Sequence, residues 1–300
     1  MTTHRDAAAF GHHLGQAGHR SIEIERNQRT VRGGKPMKIT TCAYRPILVP
    51  CRLKKPEYQI DPYIGCAHCC HYCYALNGAE TDWTREIRTY KDIKSQLSGE
   101  LEKISPQNIY MGYNTDPYQP CEVEYRQTRK VLELLSEKGF SVSILTKSDL
   151  VLRDVDLLRD MDGASISVSV AFNDDDTRGK FEANTKDTAI RLGTLRKLRE
   201  TGIRTSALIC PVVPYITEVK GLISRLASLA DAIWIYGLSI DQRSDRNWQN
   251  LEIILKEYFP DLSEQIENIV FSKDHQFWTQ LRQELKEIQI DRQLDLRIHI

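Results

Sequence analysis

The chain has 300 residues, 41% of them apolar and 27% charged, which is enough to bury a substantial core as one large domain or two modest ones. Lys plus Arg and Asp plus Glu both number 41, so the whole chain lacks the basic footprint that drives phosphate-backbone binding. No apolar run reaches the roughly 18 residues of a membrane helix, and "MTTHRDAAAFGHHLGQAGHR" has no apolar signal stretch, so a cytoplasmic, reducing setting without membrane is expected.

Residues 1–38 are rich in Gly, His, Arg and Gln, lack periodicity and close on "VRGGKP". They read as a poorly ordered basic arm; an arm that touches nucleic acid is the alternative. From about residue 57, short apolar runs alternate with amphipathic segments. The runs are "EYQI", "NIYMGY" (108–113), "SVSILTK" (141–147), "SISVSVA" (165–171), "RTSALICPVV" (204–213) and "AIWIYGLS" (232–239), which read as buried parallel strands.

Between them, "EVEYRQTRKVLELLSEKG" sets Val123, Thr128, Val131, Leu132 and Leu135 at helical spacing and stops at Gly139. "KDTAIRLGTLRKLRETG" does the same with Ala189, Leu192, Leu195 and Leu198, ending at Gly202. "LVLRDVDLLRDM" and "GLISRLASLAD" are further helix candidates. The alternation predicts βα units on a parallel sheet over 39–241, with ligands at the C-terminal strand ends. Residues 242–300 read as a C-terminal helical extension with a final strand, "LDLRIHI".

The densest chemistry lies in "DPYIGCAHCCHYCYALN", Asp61 to Asn77, which holds four of the eight cysteines. Cys66–Cys69 and Cys70–Cys73 form two CxxC pairs, as in a zinc knuckle, but four cysteines in eight residues do not readily wrap one ion. A thioredoxin-like pair lacks its βαβ context. The third grouping is Cys66-x3-Cys70-x2-Cys73, which leaves Cys69 out. Three soft thiolates at that spacing suit three irons of a [4Fe–4S] cube, with the fourth iron open to the amine and carboxylate of a small molecule. Tyr72 stands directly before the third cysteine.

At these residues the chain resembles the radical S-adenosylmethionine (SAM) superfamily, whose signature is Cx3CxΦC with Φ aromatic. That resemblance implies an α/β fold, a partial (β/α)6 TIM-like barrel with a [4Fe–4S] cluster at the C-terminal ends of the strands, plus the C-terminal helices. It implies Cys66, Cys70 and Cys73 as metal ligands and SAM on the open iron. It also implies one-electron cleavage of SAM to a 5′-deoxyadenosyl radical that abstracts hydrogen from substrate, with the electron supplied by an external reductant of flavodoxin or ferredoxin type.

"YMGYNTDPYQPCE" and "ILTKSDLVLRDVDLL" resemble the branch around spore photoproduct lyase and DNA repair photolyase-type proteins, which makes nucleic acid one possible substrate. By that resemblance Tyr72, Thr115, Asp116, Lys147, Ser167, Ser169 and Asn173 contact SAM, with Thr115 and Asp116 at the methionyl amine and Lys147 at the carboxylate or ribose. Glu182 and Arg191 match a Glu-Pro…Arg-Leu segment, with Ala183 in place of proline, and read equally as a surface ion pair. Pro211 and Pro214 match a Pro-x-x-Pro element beside the adenine. The family's cysteine before its Thr-Ser-Asp sequence is missing here. Tyr113 and Cys121 are the substitute hydrogen-donor candidates, and Cys42, Cys51 and Cys210 read as isolated. The rival class is a non-catalytic zinc or nucleic-acid-binding module; a ferredoxin-type carrier is more distant, because three cysteines leave a cluster incomplete.

Overall fold

A computed structural model of the protein describes residues 37–53 and 55–300, so the expected N-terminal arm lies almost wholly outside the described residues. Ten strands are present among them: β1 Lys38–Thr41, β2 Leu48–Pro50, β3 Tyr58–Ile60, β4 Glu86–Thr89, β5 Asn108–Met111, β6 Ser141–Thr146, β7 Ser165–Ser169, β8 Arg204–Val212, β9 Ala232–Gly237 and β10 Leu296–His299. The main sheet runs β10-β9-β8-β7-β6-β5-β3-β2. All its neighbours are parallel except β2 with β3. The six predicted runs are β3 and β5–β9, the six-stranded core of the barrel. Strands β1 and β4 pair separately. "LDLRIHI" supplies β10, which extends the sheet beside β9.

The strands are not apolar on both faces. Ile109, Met111, Val142, Ile144, Ile166, Val168, Ala207, Ile209, Ile233 and Ile235 form the buried side, packed with the helices in one large core. Of the alternate positions, Tyr110, Ser143, Leu145, Ser165, Ser167, Ser206, Cys210, Trp234 and Tyr236 are only partly buried, while Ser169 and Leu208 are buried. This period of two departs from the expected all-buried strands: one side meets helices, the other lines a concave space. The curl is visible in the chemistry. Tyr110 on β5 lies within electrostatic reach of Tyr236 on β9. Four strand steps in a flat sheet would hold them about 19 Å apart.

Helices Ile93–Leu101, Gln127–Glu137, Val155–Asp160, Thr188–Glu200 and Val219–Leu226 cover the apolar side in turn. Two differ from the sequence expectation. The first predicted helix breaks at Arg126, whose φ is 51°, into Glu122–Tyr125 and Gln127–Glu137. Val123 is consequently exposed. The cause is Glu122: its fully buried carboxylate accepts from the backbone N–H groups of Thr128 (2.9 Å) and Arg129 (3.3 Å), capping the second piece. In Thr188–Glu200 the inward residues are Thr188, Arg191, Thr194, Leu195 and Leu198, with Ala189 exposed. The first turns of that helix face polar groups at the strand ends, so its apolar periodicity starts late. Gly139 (φ 72°) ends Gln127–Glu137 as predicted, and the Phe140 N–H returns to the Leu135 carbonyl at 2.9 Å.

Glu122 also accepts from the Tyr63 hydroxyl and from Arg153 Nη2 at 2.5 Å. Arg153 and Arg129 in turn hold buried Asp154. Replacing Arg153 leaves Glu122 underpaired where no water reaches it. Arg153→Leu is expected to lower the unfolding free energy by about 3 kcal/mol, read as a reduced urea midpoint at unchanged m-value; an unchanged midpoint refutes the role.

Candidate active site at the cysteine loop

The loop Asp61–Asn77 leaves β3 at the C-terminal end of the sheet and is clamped before its first cysteine. Gly65 sits at φ 89°, where a Cβ would stand 3.1 Å from both Ile87 and Trp83, so glycine is required. Its carbonyl accepts from the Thr115 hydroxyl (2.6 Å) and from Gln119 Nε2 (3.1 Å), while Gln119 Oε1 takes the Ala67 N–H (2.8 Å). Gln119 is fully buried and carries no motif, which is why sequence reading missed it.

Cys66 and Cys70 are buried and Cys73 is partly so. Burial pushes the Cys70 thiol well above its usual range and that of Cys73 up to about 11, with Lys147 pulling both down. Cys69 is set apart. It sits at φ 47°, its Sγ donates to the Trp83 carbonyl (3.3 Å), and burial raises its thiol to about 12. It lines a separate cavity of about 740 Å³ with His71, Trp83, Asn184 and Arg246.

Among the described residues no three His, Cys, Asp or Glu side chains gather tightly enough to hold one metal ion. Ligands that each take a separate iron of a multi-iron cluster stand farther apart than ligands of a single ion. Three soft thiols, two of them close to a partly buried cation, fit such a group: iron stabilises the thiolate that burial disfavours, and the cation offsets its charge.

That cation is Lys147, at the end of β6. Its Nζ lies 4.0 Å from Glu182 Oε1 and 5.9 Å from the centroid of the Tyr72 ring. Burial alone would lower its pKa, but Cys70 and Glu182 outweigh that and raise it. Glu182 accepts from the Tyr72 hydroxyl and pairs with Arg191 Nη2 at 2.5 Å; Glu182 and Arg191 are 0% and 1% exposed. Burial disfavours the Glu182 charge, yet Arg191 and Lys147 keep its carboxyl below the ordinary range. The pair is thus no surface ion pair. It ties Tyr72, Lys147 and the Thr188–Glu200 helix into one network, and Arg191 Nη1 also donates to the Ser169 carbonyl at 3.0 Å.

The Asn114-Thr115-Asp116 sequence serves as a brace. Asn114 donates to partly buried Asp61 through backbone and side chain (2.9 and 2.7 Å). Asp116 Oδ1 accepts from Tyr118 N–H and the Thr146 hydroxyl (2.8 and 2.7 Å), and Oδ2 from Lys147 N–H (2.7 Å). His68 Nδ1 stands 3.3 Å from Oδ2, near enough for an ion pair but off the line of a hydrogen bond. Against the effect of burial, each holds the other charged, with Asp116 down at about 2 and His68 up at about 9. Three of the carboxylate's acceptor positions are used within the protein. Asp116 and Thr115 thereby brace the cysteine loop.

Ser169 donates to the Cys210 carbonyl (3.4 Å), and Ser167 lies on the same concave face. Asn173 is occupied elsewhere, bonding Glu218 (2.9 Å) and accepting from Arg225 (2.6 Å). Cys121 packs with Tyr63, Ala67 and Ile87 in a small satellite core. Tyr113 faces Tyr74 and Tyr110, with centroids at 5.3 and 6.3 Å. Cys210 is not isolated: it ends the inner face of β8 within electrostatic reach of Lys147, Tyr110 and Tyr236, and burial lifts its thiol to about 11. No spacing rule flags it.

Helices Arg246–Tyr258, Pro260–Val270 and Gln276–Arg292 follow β9. The first walls the site: Trp248, Leu251 and Leu255 share an apolar cluster with Cys70, Tyr72, Phe172 and Phe181, and Asn247 Nδ2 donates to the Tyr72 carbonyl at 3.3 Å.

A protein of Methanocaldococcus jannaschii without an assigned activity is 27% identical over 220 residues, 73% of this chain and 83% of that one. A radical SAM Nalpha-GlyT isomerase of a Pseudomonas phage is 26% identical over 57% of this chain and 37% of its own length. Two solved structures share the fold. A spore photoproduct lyase variant with dinucleoside spore photoproduct has a TM-score of 0.53 at 16% identity, covering 73% of this chain and 66% of that one. SuiB of Streptococcus suis bound to S-adenosylmethionine has a TM-score of 0.55 at 12% identity, covering 80% and 49%. The sequence profile of the Radical SAM superfamily matches residues 60–222, from the end of β3 into the helix after β8. With that match over more than half its length, and with its cysteine loop at the strand ends of a partial barrel, the chain belongs to the radical SAM superfamily of enzymes.

Proposed function

We propose that the protein cleaves SAM reductively at a [4Fe–4S] cluster held by Cys66, Cys70 and Cys73, and uses the product to abstract hydrogen from a substrate seated in the concave face of the barrel. When bound, the cluster and SAM supply a 5′-deoxyadenosyl radical after one electron arrives from a flavodoxin- or ferredoxin-type donor. The observation that carries this reading is the setting of the three thiols at the C-terminal ends of the strands, with Cys66 and Cys70 buried and Cys70 and Cys73 within electrostatic reach of the Lys147 cation.

The chain's own residues do the positioning. Gly65, Thr115 and Gln119 fix where the loop begins; Tyr72, braced by Glu182 and Asn247, fixes where its last cysteine stands. Lys147 holds positive charge beside the thiols and toward any carboxylate brought there. Trp248, Leu251 and Leu255 exclude water from one side. Among the described residues no helix is long and apolar enough to cross a membrane. Membership of an enzyme superfamily argues against a non-catalytic zinc module.

Two variants test this reading after anaerobic reconstitution. Cys70→Ala is expected to lose the iron–sulfur chromophore and 5′-deoxyadenosine formation, while Cys69→Ala keeps both; a Cys70→Ala protein with full iron and sulfide refutes the ligand set. Lys147→Met is expected to retain iron but slow 5′-deoxyadenosine release by about 10–100-fold. It should also move the reduction midpoint to more negative values, because the reduced cluster loses a nearby cation. Lys147→Arg should recover part of both, and an unchanged midpoint in Lys147→Met refutes the electrostatic role.

A further inference from the structure

On the SAM-cleaving reading, each cleavage consumes one electron from outside the protein, and the fold leaves that electron one thin approach to the thiols. Helix Arg246–Tyr258 closes a first side with Trp248, Leu251 and Leu255. The concave face, with Lys147 and Tyr72, is the side on which SAM and substrate would lie. On the third side Cys66 packs with Ala75 and Trp83, and Cys69, Cys73, Leu76 and Ala79 lie against that group. Of these, Cys69, Leu76, Ala79 and Trp83 also line the separate cavity of about 740 Å³ behind the loop. A single layer of side chains therefore divides this cavity from Cys66 and Cys73.

Cys69 bridges the layer. Its Sγ donates to the Cys66 carbonyl (3.5 Å) and the Trp83 carbonyl (3.3 Å), and its own peptide bond leads to Cys70. Covalent and hydrogen-bonded atoms carry an electron better than solvent-filled space does. Asp82, Thr84 and Arg246 on the lining are exposed, so the cavity opens outward.

We propose that this cavity is the docking site of an acidic one-electron carrier protein, whose redox group faces Cys69 and Trp83. The state of the lining's polar groups gives the partner its charge. The carboxylates are already used. Glu80 pairs with Arg45 (2.7 Å) and Arg88 (3.9 Å), while Asp82 accepts from the Thr84 hydroxyl (2.6 Å) and pairs with Arg85 (3.4 Å). The donors are not. The side chains of His71, Asn184 and Asn250 make no hydrogen bond to a described residue. Arg246 donates through Nη1 to the Ala79 carbonyl (3.1 Å) and has no carboxylate partner among the described residues. A surface with free donors and paired carboxylates is complemented by carboxylates on the partner.

The test compares two electron sources on the full, anaerobically reconstituted chain. Dithionite needs no docking surface; an acidic flavodoxin, reduced beforehand, does. Bleaching of the cluster's visible absorption is read without SAM, and 5′-deoxyadenosine formation is then read with it. Arg246→Glu and Asn250→Asp should each raise the flavodoxin concentration for half-maximal reduction about tenfold, with the maximal rate and the dithionite rate unchanged. Arg246→Lys should recover most of the loss, and added salt should slow the flavodoxin reaction of the unaltered chain more than that of Arg246→Glu. Variants that slow both reductants equally overturn the proposal, as do variants that slow neither. An unaltered chain reduced by dithionite but by neither flavodoxin nor an acidic ferredoxin also overturns it. Reduction is read apart from cleavage, so docking can stand where SAM cleavage fails and fail where SAM cleavage stands.

Discussion

A buried carboxylate between two cations, Glu182 between Arg191 and Lys147, is the constraint on which the arrangement around the thiols depends. None of the three charges is tolerable alone at that depth; burial becomes affordable only when the ion pair is short and the remaining donors and acceptors are used. Arg191 meets that condition by also donating to the Ser169 and Lys186 carbonyls, and Glu182 by accepting from Tyr72. The network consequently joins the cysteine loop, the end of β6, the end of β7 and the following helix. With two cations against one carboxylate it leaves a surplus positive charge beside Cys70 and Cys73, where three thiolates would otherwise repel one another.

The second organising feature is the difference between the two sides of the sheet. Isoleucine, valine and methionine on the helix side remove apolar area from water and hold the domain together. On the concave side serine and aromatic residues stand at the same pleat positions, too few in apolar atoms to close the space by themselves. A sheet that curls around such a surface remains open there for a ligand. Strand β10, contributed by the last residues of the chain, lengthens that surface and brings His299 beside Tyr236.

Much of the fold was legible because its signals are local. Six β-branched runs at regular spacing marked β3 and β5–β9, and Gly139 marked a helix end through its left-handed φ. The Cx3Cx2C spacing separated Cys66, Cys70 and Cys73 from Cys69, and the structure turns Cys69 toward the Trp83 carbonyl. What was misread depended on partners distant in sequence. Val123 has perfect helical spacing but is exposed, because Glu122 caps the next helix. The brace that Asp116 makes with Tyr118, Thr146 and Lys147 likewise joins residues that no local spacing brings together. Gln119, Asn247 and Cys210 carry no motif at all.

The sequence by itself determined the parallel βα order and the three-thiol loop, since period, turn chemistry and ligand spacing are properties of contiguous residues. Only the tertiary structure decided that Glu182 and Arg191 are buried together, that Asp116 braces the cysteine loop, and that Trp234, Tyr236 and His299 stack on one another. Those facts are set by register between strands and by which charges lose their water on closure. Neither quantity is written in any short stretch of chain.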